Sequence, residues 1–158
     1  MTRLYARCQG GARIHEGTPD GRWKILTVLG ALGVRGMIAT MTVEAATDRE
    51  IFLAYLDEVL CPQLRSGDVV VMDNLSSHKV NGVQQRIEKC GAALLYLPPY
   101  SPDLNPIEKA WSKLKQLLRS AKARSKDALD QAITELLPLI TGEDAKAWFR
   151  LPFAAIQQ

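Results

Sequence analysis

Apolar positions along the chain fall into short blocks whose spacing changes from element to element. Ile25 to Leu32 and Met37 to Val43 read as strands. Gly33-Val34-Arg35-Gly36 between them supplies the permissive backbone of a hairpin turn, which predicts an antiparallel pair. Phe52, Tyr55, Leu56, Val59 and Leu60 then recur on one helical face, with Thr47 as cap, Glu50 three residues on and Pro62 as the limit. Val69 to Met72 is too short for a helix and uniformly apolar, so it predicts a strand buried on both faces. Asn81, Gly82 and Gln84 open a helix with a narrow stripe of Val83, Ile87 and Cys90, ended by Gly91, and Ala92 to Leu97 is a further strand. A helix between two strands makes the connection a crossover and the strands parallel. Ile107, Trp111, Leu114 and Leu118 mark a helix from Pro106 to about Ser120. Ser125 caps another carrying Leu129, Ala132, Ile133, Leu136 and Leu137, stopped by Pro138, and a last short helix from Thr141 carries Trp148 and Phe149. Met1 to Arg22, glycine-rich and poor in apolar residues, reads as irregular or weakly extended. The order of hairpin, helix, strand, helix, strand, helix, helix predicts an α/β sheet flanked by helices.

Length and composition narrow this further. With 158 residues and 47% hydrophobic content, the chain suits one globular domain with a real core. No apolar run approaches the ~18 residues of a membrane span, and Thr2 to Arg13, with three arginines, is no secretory signal, so a cytoplasmic location is expected. Cys8, Cys61 and Cys90 are odd in number and lack a C-x-x-C pair, which argues against a disulfide framework or a zinc site. The net charge of +3 is modest but uneven. Lys109, Lys113, Lys115, Arg119, Lys122, Arg124 and Lys126 follow one another with no acid between them. Such a run is either a solvated helix face or the footprint of a polyanion, because cations that neutralise phosphates release condensed counterions.

Two acids stand out. Asp73 sits where the apolar strand ends, and ligands gather beyond the carboxyl ends of strands in open α/β sheets. Glu108 follows a connection stiffened by Pro98, Pro99, Pro102 and Pro106, each of which fixes a backbone angle and lowers the entropy lost in holding one loop shape. Each has a structural reading as well. Asp is a turn former after a strand, and Asn105-Pro106-Ile107-Glu108 is a sound capping box. Taken together, they suggest a shared site. Converging carboxylates favour hard cations such as Mg²⁺ or Mn²⁺, which take remaining ligands from substrate phosphates and support phosphoryl transfer. His78 is a poor ligand for such ions and reads as a group that orients DNA or the nucleophile, or as a helix-start residue. His15 and Glu16 have no partner at ligand spacing.

The stretches V-V-V-M-D-N-L-S-S-H and L-P-P-Y-S-P-D-L-N-P-I-E-K-A-W-S-K-L-K resemble the catalytic domain of DDE transposases, in the bacterial insertion-sequence branch related to mariner elements. The resemblance implies an RNase H-like mixed sheet with a core from about residue 22 to 120 and a helical extension from about 121 to 158. It also implies metal-dependent DNA cleavage and strand transfer at transposon ends. Asp73 and Glu108 would be the second and third acidic metal ligands, thirty-four residues apart (74 to 107). Phosphate contacts are expected from Lys109, Lys113, Lys115, Arg119 and Lys122, with His78 beside them. The family's first catalytic Asp, on a strand before the hairpin, has no counterpart here, since neither Glu16 nor Asp20 fits it, and the helix-turn-helix modules that read terminal repeats are not in this sequence. The central strand and its Asp are therefore expected from an upstream transposase segment, joined by frameshifting or paired in trans, with Met1 to Cys8 a weak substitute. A homodimer is a further expected partner. The alternative is a catalytically inactive remnant or a regulatory DNA-binding fragment.

Overall fold

The computed structural model describes residues 25–123 and 125–154, and for residues 151–154 the backbone only. The expectations for Met1 to Cys8, His15, Glu16, Asp20 and Arg124 lie outside the described residues.

Strands β1 (Thr27–Gly33) and β2 (Gly36–Val43) form the expected antiparallel hairpin. Gly36 sits at φ +114, and a side chain there would also meet the carbonyl oxygen of Ile140, so only glycine serves both the turn and the bridge to Thr141. The register slips between Leu29 and Ala31, where Ala39 turns to φ 49 in a bulge. Helix α1 (Arg49–Tyr55) follows. Its cap is Asp48 rather than Thr47, because the Asp48 carboxylate accepts from the Ile51 amide at 2.8 Å. The helix continues as a π turn, Leu56–Leu60, and ends in a 3₁₀ turn at Cys61–Gln63, where Pro62 stands.

Strands β3 (Val69–Met72) and β4 (Ala93–Tyr96) pair in parallel through helix α2 (Val83–Lys89), as the crossover required. The expected burial of β3 on both faces is wrong. Val70 and Met72 face the core, whereas Val69 and Val71 are 59% and 43% exposed and Leu95 on β4 is 55% exposed. A strand is buried twice only where something packs on each face, and the helices that could cover this one lie elsewhere. Among the described residues the two pairs form separate two-stranded sheets.

Helices α3 (Ile107–Ala121), α4 (Lys126–Leu136) and α5 (Gly142–Ala154) complete the chain, and Ser125 caps α4 as expected. Apolar groups form two clusters. One joins Phe52, Tyr55, Leu56, Leu60, Met72, Val83, Ile87 and Ala92; the other joins Ala110, Leu114, Leu118, Ala132, Ile133 and Ile140. The hairpin lies between them, with Leu29, Ala31, Ala39 and Met41 against the first and Leu26, Val28, Leu32 and Met37 against the second. Gly30 lets α3 approach. A side chain there would come within 3.1 Å of the Trp111 ring and 2.9 Å of Met37, so the bare backbone seats Trp111 one turn beyond Glu108.

Candidate active site

Asp73 stands immediately past β3, half-buried, at the tip of the parallel pair. Its Oδ1 accepts from the Leu75 amide at 3.1 Å and touches His78 Nδ1 at 2.7 Å. The imidazole contact is an ion-pair approach without the alignment of a hydrogen bond. The turn-forming reading of Asp73 is thus realised through Oδ1, while no described hydrogen bond reaches Oδ2. The next residue prolongs the pairing of the strands. Asn74 Nδ2 donates to the Leu97 carbonyl, and the Leu97 amide donates to Met72 O at 2.8 Å, so the proline loop starts beside Asp73.

His78 belongs to a 3₁₀ turn, Ser76–Lys79, ahead of α2. Its ring lies 4.8 Å from that of Phe52, and its carbonyl accepts from the Tyr96 hydroxyl at 2.6 Å, so a buried ring on α1 and a hydroxyl on β4 fix the imidazole against Asp73. Burial raises the pKa of Tyr96 and holds it as a neutral donor. Sequence alone does not single out Phe52, Asn74 or Tyr96. Asn74 carries the one available signal, that it adjoins Asp73, whereas a buried Phe and a strand Tyr carry none beyond packing.

The loop from Pro98 contains a 3₁₀ turn, Pro102–Leu104, and delivers α3. The capping box is not formed. Pro106 stands at the helix start with no side-chain cap bond, and Asn105 serves through its backbone carbonyl, which accepts from the Glu108 amide at 3.1 Å. Glu108 is therefore exposed in the first turn, with its carboxylate in no described hydrogen bond or ion pair. Positions 108, 115, 119 and 122 follow one another at intervals of seven, four and three residues, which places Glu108, Lys115, Arg119 and Lys122 on one helical stripe. All four are exposed, and Lys122 ends the helix at φ 52.

Lys109 and Lys113 lie off that stripe. Lys113 is tied to Asp144 at the start of α5 at 2.5 Å, and Lys126 is paired with Glu44. Asp144 also accepts from the Thr141 amide and hydroxyl, and these bonds, led by that from Lys113, hold its carboxyl below the ordinary carboxylate range. A carboxyl with a depressed folded pKa stabilises above its unfolded value, near 3.9, and that contribution is lost as the pH falls through the folded value. Asp144→Asn is accordingly expected to unfold at a lower temperature than wild type near pH 6, by an amount corresponding to about 1 kcal/mol or less. The gap should begin to narrow below about pH 4 and close as the pH falls through the folded value. Thermal melts of both proteins across pH check this, and a gap that persists unchanged at pH 3 would contradict it.

Residues 1–130 match the family described as DDE superfamily endonuclease. The chain belongs to that family. Its fold is also that of the crystal structure of the Mos1 Strand Transfer Complex, with a TM-score of 0.72 at 17% identity over 98% of this chain. The match spans 48% of the other chain, so this sequence corresponds to about half the length of its structural relative. The likeness identifies the RNase H-like fold that the resemblance to DDE transposases implied. No curated protein matches. DDE superfamily endonucleases generally use divalent ions such as Mg²⁺, and the carboxylate oxygens of Asp73 and Glu108 are the hard donors such ions prefer. Among the described residues no three His, Cys, Asp or Glu side chains form a cluster able to hold a metal. No described helix is long and apolar enough to cross a membrane.

Proposed function

We propose that this chain is the carboxyl-terminal part of a DDE transposase catalytic domain, cleaving DNA at transposon ends and joining it to target DNA. The observation that carries the reading is Glu108, unpaired and exposed at the head of a stripe that continues as Lys115, Arg119 and Lys122. Placing a carboxylate in line with cations makes sense where a phosphate backbone lies along the helix and one phosphate reaches the acid by way of a metal. Asp73 and Glu108 would hold Mg²⁺ or Mn²⁺, and the bound ion supplies charge stabilisation at the phosphoryl oxygens and an acidified water or hydroxyl. The protein's own part is to orient. His78, pinned by Phe52 and Tyr96, keeps Asp73 Oδ1 in place, and no described hydrogen bond occupies Oδ2. Lys115 and Arg119 set the DNA backbone along α3, while Lys113 serves the fold through Asp144.

Two carboxylates give little charge to hold a pair of ions, so a third acid comes from a segment joined to or paired with this chain. The test is cleavage of a duplex carrying the transposon end, with Mg²⁺, by the chain alone and together with an upstream segment bearing a strand and its Asp. Strand cleavage and joining are expected from the combination. Equal cleavage by the chain alone would remove the need for a third carboxylate. Binding without cleavage in either case would favour an inactive DNA-binding fragment.

DNA binding is tested separately. Neutralising Lys115 and Arg119 together should weaken binding regardless of sequence and lower the slope of log affinity against log salt by about 2, close to 0.9 for each phosphate that is no longer neutralised. Thermal stability should stay within about 0.5 kcal/mol, as for exposed positions. An unchanged salt slope would return this stripe to solvent.

A further inference from the structure

Away from Asp73 and Glu108, two cysteines from separate elements converge. Cys61 follows the π turn, and Cys90 is the residue after α2. Both are half-exposed and free, and both thiols donate to one acceptor, the carbonyl of Arg86, at 3.8 Å and 3.2 Å. The Cys90 thiol is also within hydrogen-bonding reach of Cys61. They line a cavity of about 430 Å³ whose other walls are Asp57, Gln85, Arg86 and Lys89. Arg86 is held there by Nε bonds of 2.8 and 2.9 Å to the Asp57 carboxylate, so the shared carbonyl belongs to a fixed turn of helix.

We propose that Cys61 and Cys90 form a dithiol modification site, which a hydroperoxide converts to an intramolecular disulfide joining the end of the helix before β3 to the end of the crossover helix before β4. The chemistry balances as two one-step displacements. The Cys90 sulfur attacks one oxygen of hydrogen peroxide and the O–O bond breaks, giving the sulfenic acid, while the thiol proton leaves with the other oxygen as water. The Cys61 sulfur then displaces the sulfenic oxygen, its proton leaving with that oxygen as a second water; the two sulfurs lose two electrons in all and the peroxide gains them. The order follows from the environment. Burial first, then Cys90 and Asp57, push the Cys61 thiol up to about 12, so it waits as a thiol for the sulfenic acid. A cross-link between residues 61 and 90 closes a loop that contains β3 and all of α2, and such a closure restricts the unfolded chain.

The site does not depend on any catalytic role for the chain. The test treats the folded 158-residue chain, in a Cys8→Ser background, with hydrogen peroxide, then alkylates remaining thiols and maps peptides by mass. The expected result is one linked pair, residues 61 and 90, two hydrogens lighter than the separate peptides, in monomeric protein. The thermal midpoint should rise by several degrees and return on reduction. Cys61→Ser should instead leave Cys90 as a sulfenic acid trapped by dimedone. Linkage only after denaturant is added, linkage between two chains, or over-oxidation of Cys90 with Cys61 still free would each overturn the proposal. Because the pairing is read directly by mass in protein that keeps both Cys61 and Cys90, the result does not hinge on how Cys61→Ser folds.

Discussion

Replacing Asp73 by Asn, or Glu108 by Gln, in the assembled enzyme is expected to lower strand cleavage by about a thousandfold or more while leaving the fold almost unchanged. The size follows from what such carboxylates support. A bound divalent ion contributes several kcal/mol of transition-state charge stabilisation, and each ~1.4 kcal/mol lost is tenfold in rate. The small structural cost follows from position. Glu108 is exposed and makes no described bond, and Asp73 is half-buried with Oδ1 accepting from a backbone amide that an Asn carbonyl can also serve. DNA binding should persist, since on the proposed reading it rests on Lys115 and Arg119. Cleavage rates under single-turnover conditions, together with melting curves of each variant, decide the matter. Cleavage within tenfold of wild type for either substitution would remove that residue from the reaction.

What is legible in the sequence, and what is not, divides along the range of the forces involved. The hairpin is legible because Gly33 and Gly36 flank a turn and the strands beside it are uniform. The parallel pair is legible because a helix separates two short apolar runs. Local choices between near-equivalents are less so. Thr47 and Asp48 can both cap, and the one chosen is the one whose carboxylate reaches Ile51 while Phe52 and Tyr55 turn inward. The box at Asn105 and Glu108 fails because Pro106 follows a tight 3₁₀ turn, in which Asn105 is already used through its backbone. The exposed face of β3 has no local sign at all, since what covers a strand is decided by distant chain. At the site, Asp73 and Glu108 are visible as acids in unusual settings. The alignment of Lys115, Arg119 and Lys122 with Glu108 is present in the spacing, but the diversion of Lys113 to Asp144 is not, because that partner lies thirty-one residues away.

Phe52→Ala should be the most damaging single truncation near the site, acting on stability and catalysis together. Phe52 is 3% exposed in the first apolar cluster, and removal of such a ring costs about 3–5 kcal/mol through lost transfer energy and the cavity left behind. In a chain of this size that lowers the thermal midpoint by roughly 6–20 °C. The same ring is the seat of His78, 4.8 Å away, and His78 is what lies against Asp73. Without it the imidazole can leave the carboxylate, and misplacement of a reacting group by about 1 Å is enough to cost about a hundredfold in rate. Ile133→Ala separates the two effects. Ile133 is as deeply buried but belongs to the second cluster on α4, so it should destabilise comparably, by about 2–5 kcal/mol, and leave cleavage by the folded fraction close to wild type. Both variants should be compared in the assembled enzyme at a temperature where each is fully folded by circular dichroism. Equal cleavage by the two would mean that Phe52 supports the fold alone and that Asp73 is held in place without His78.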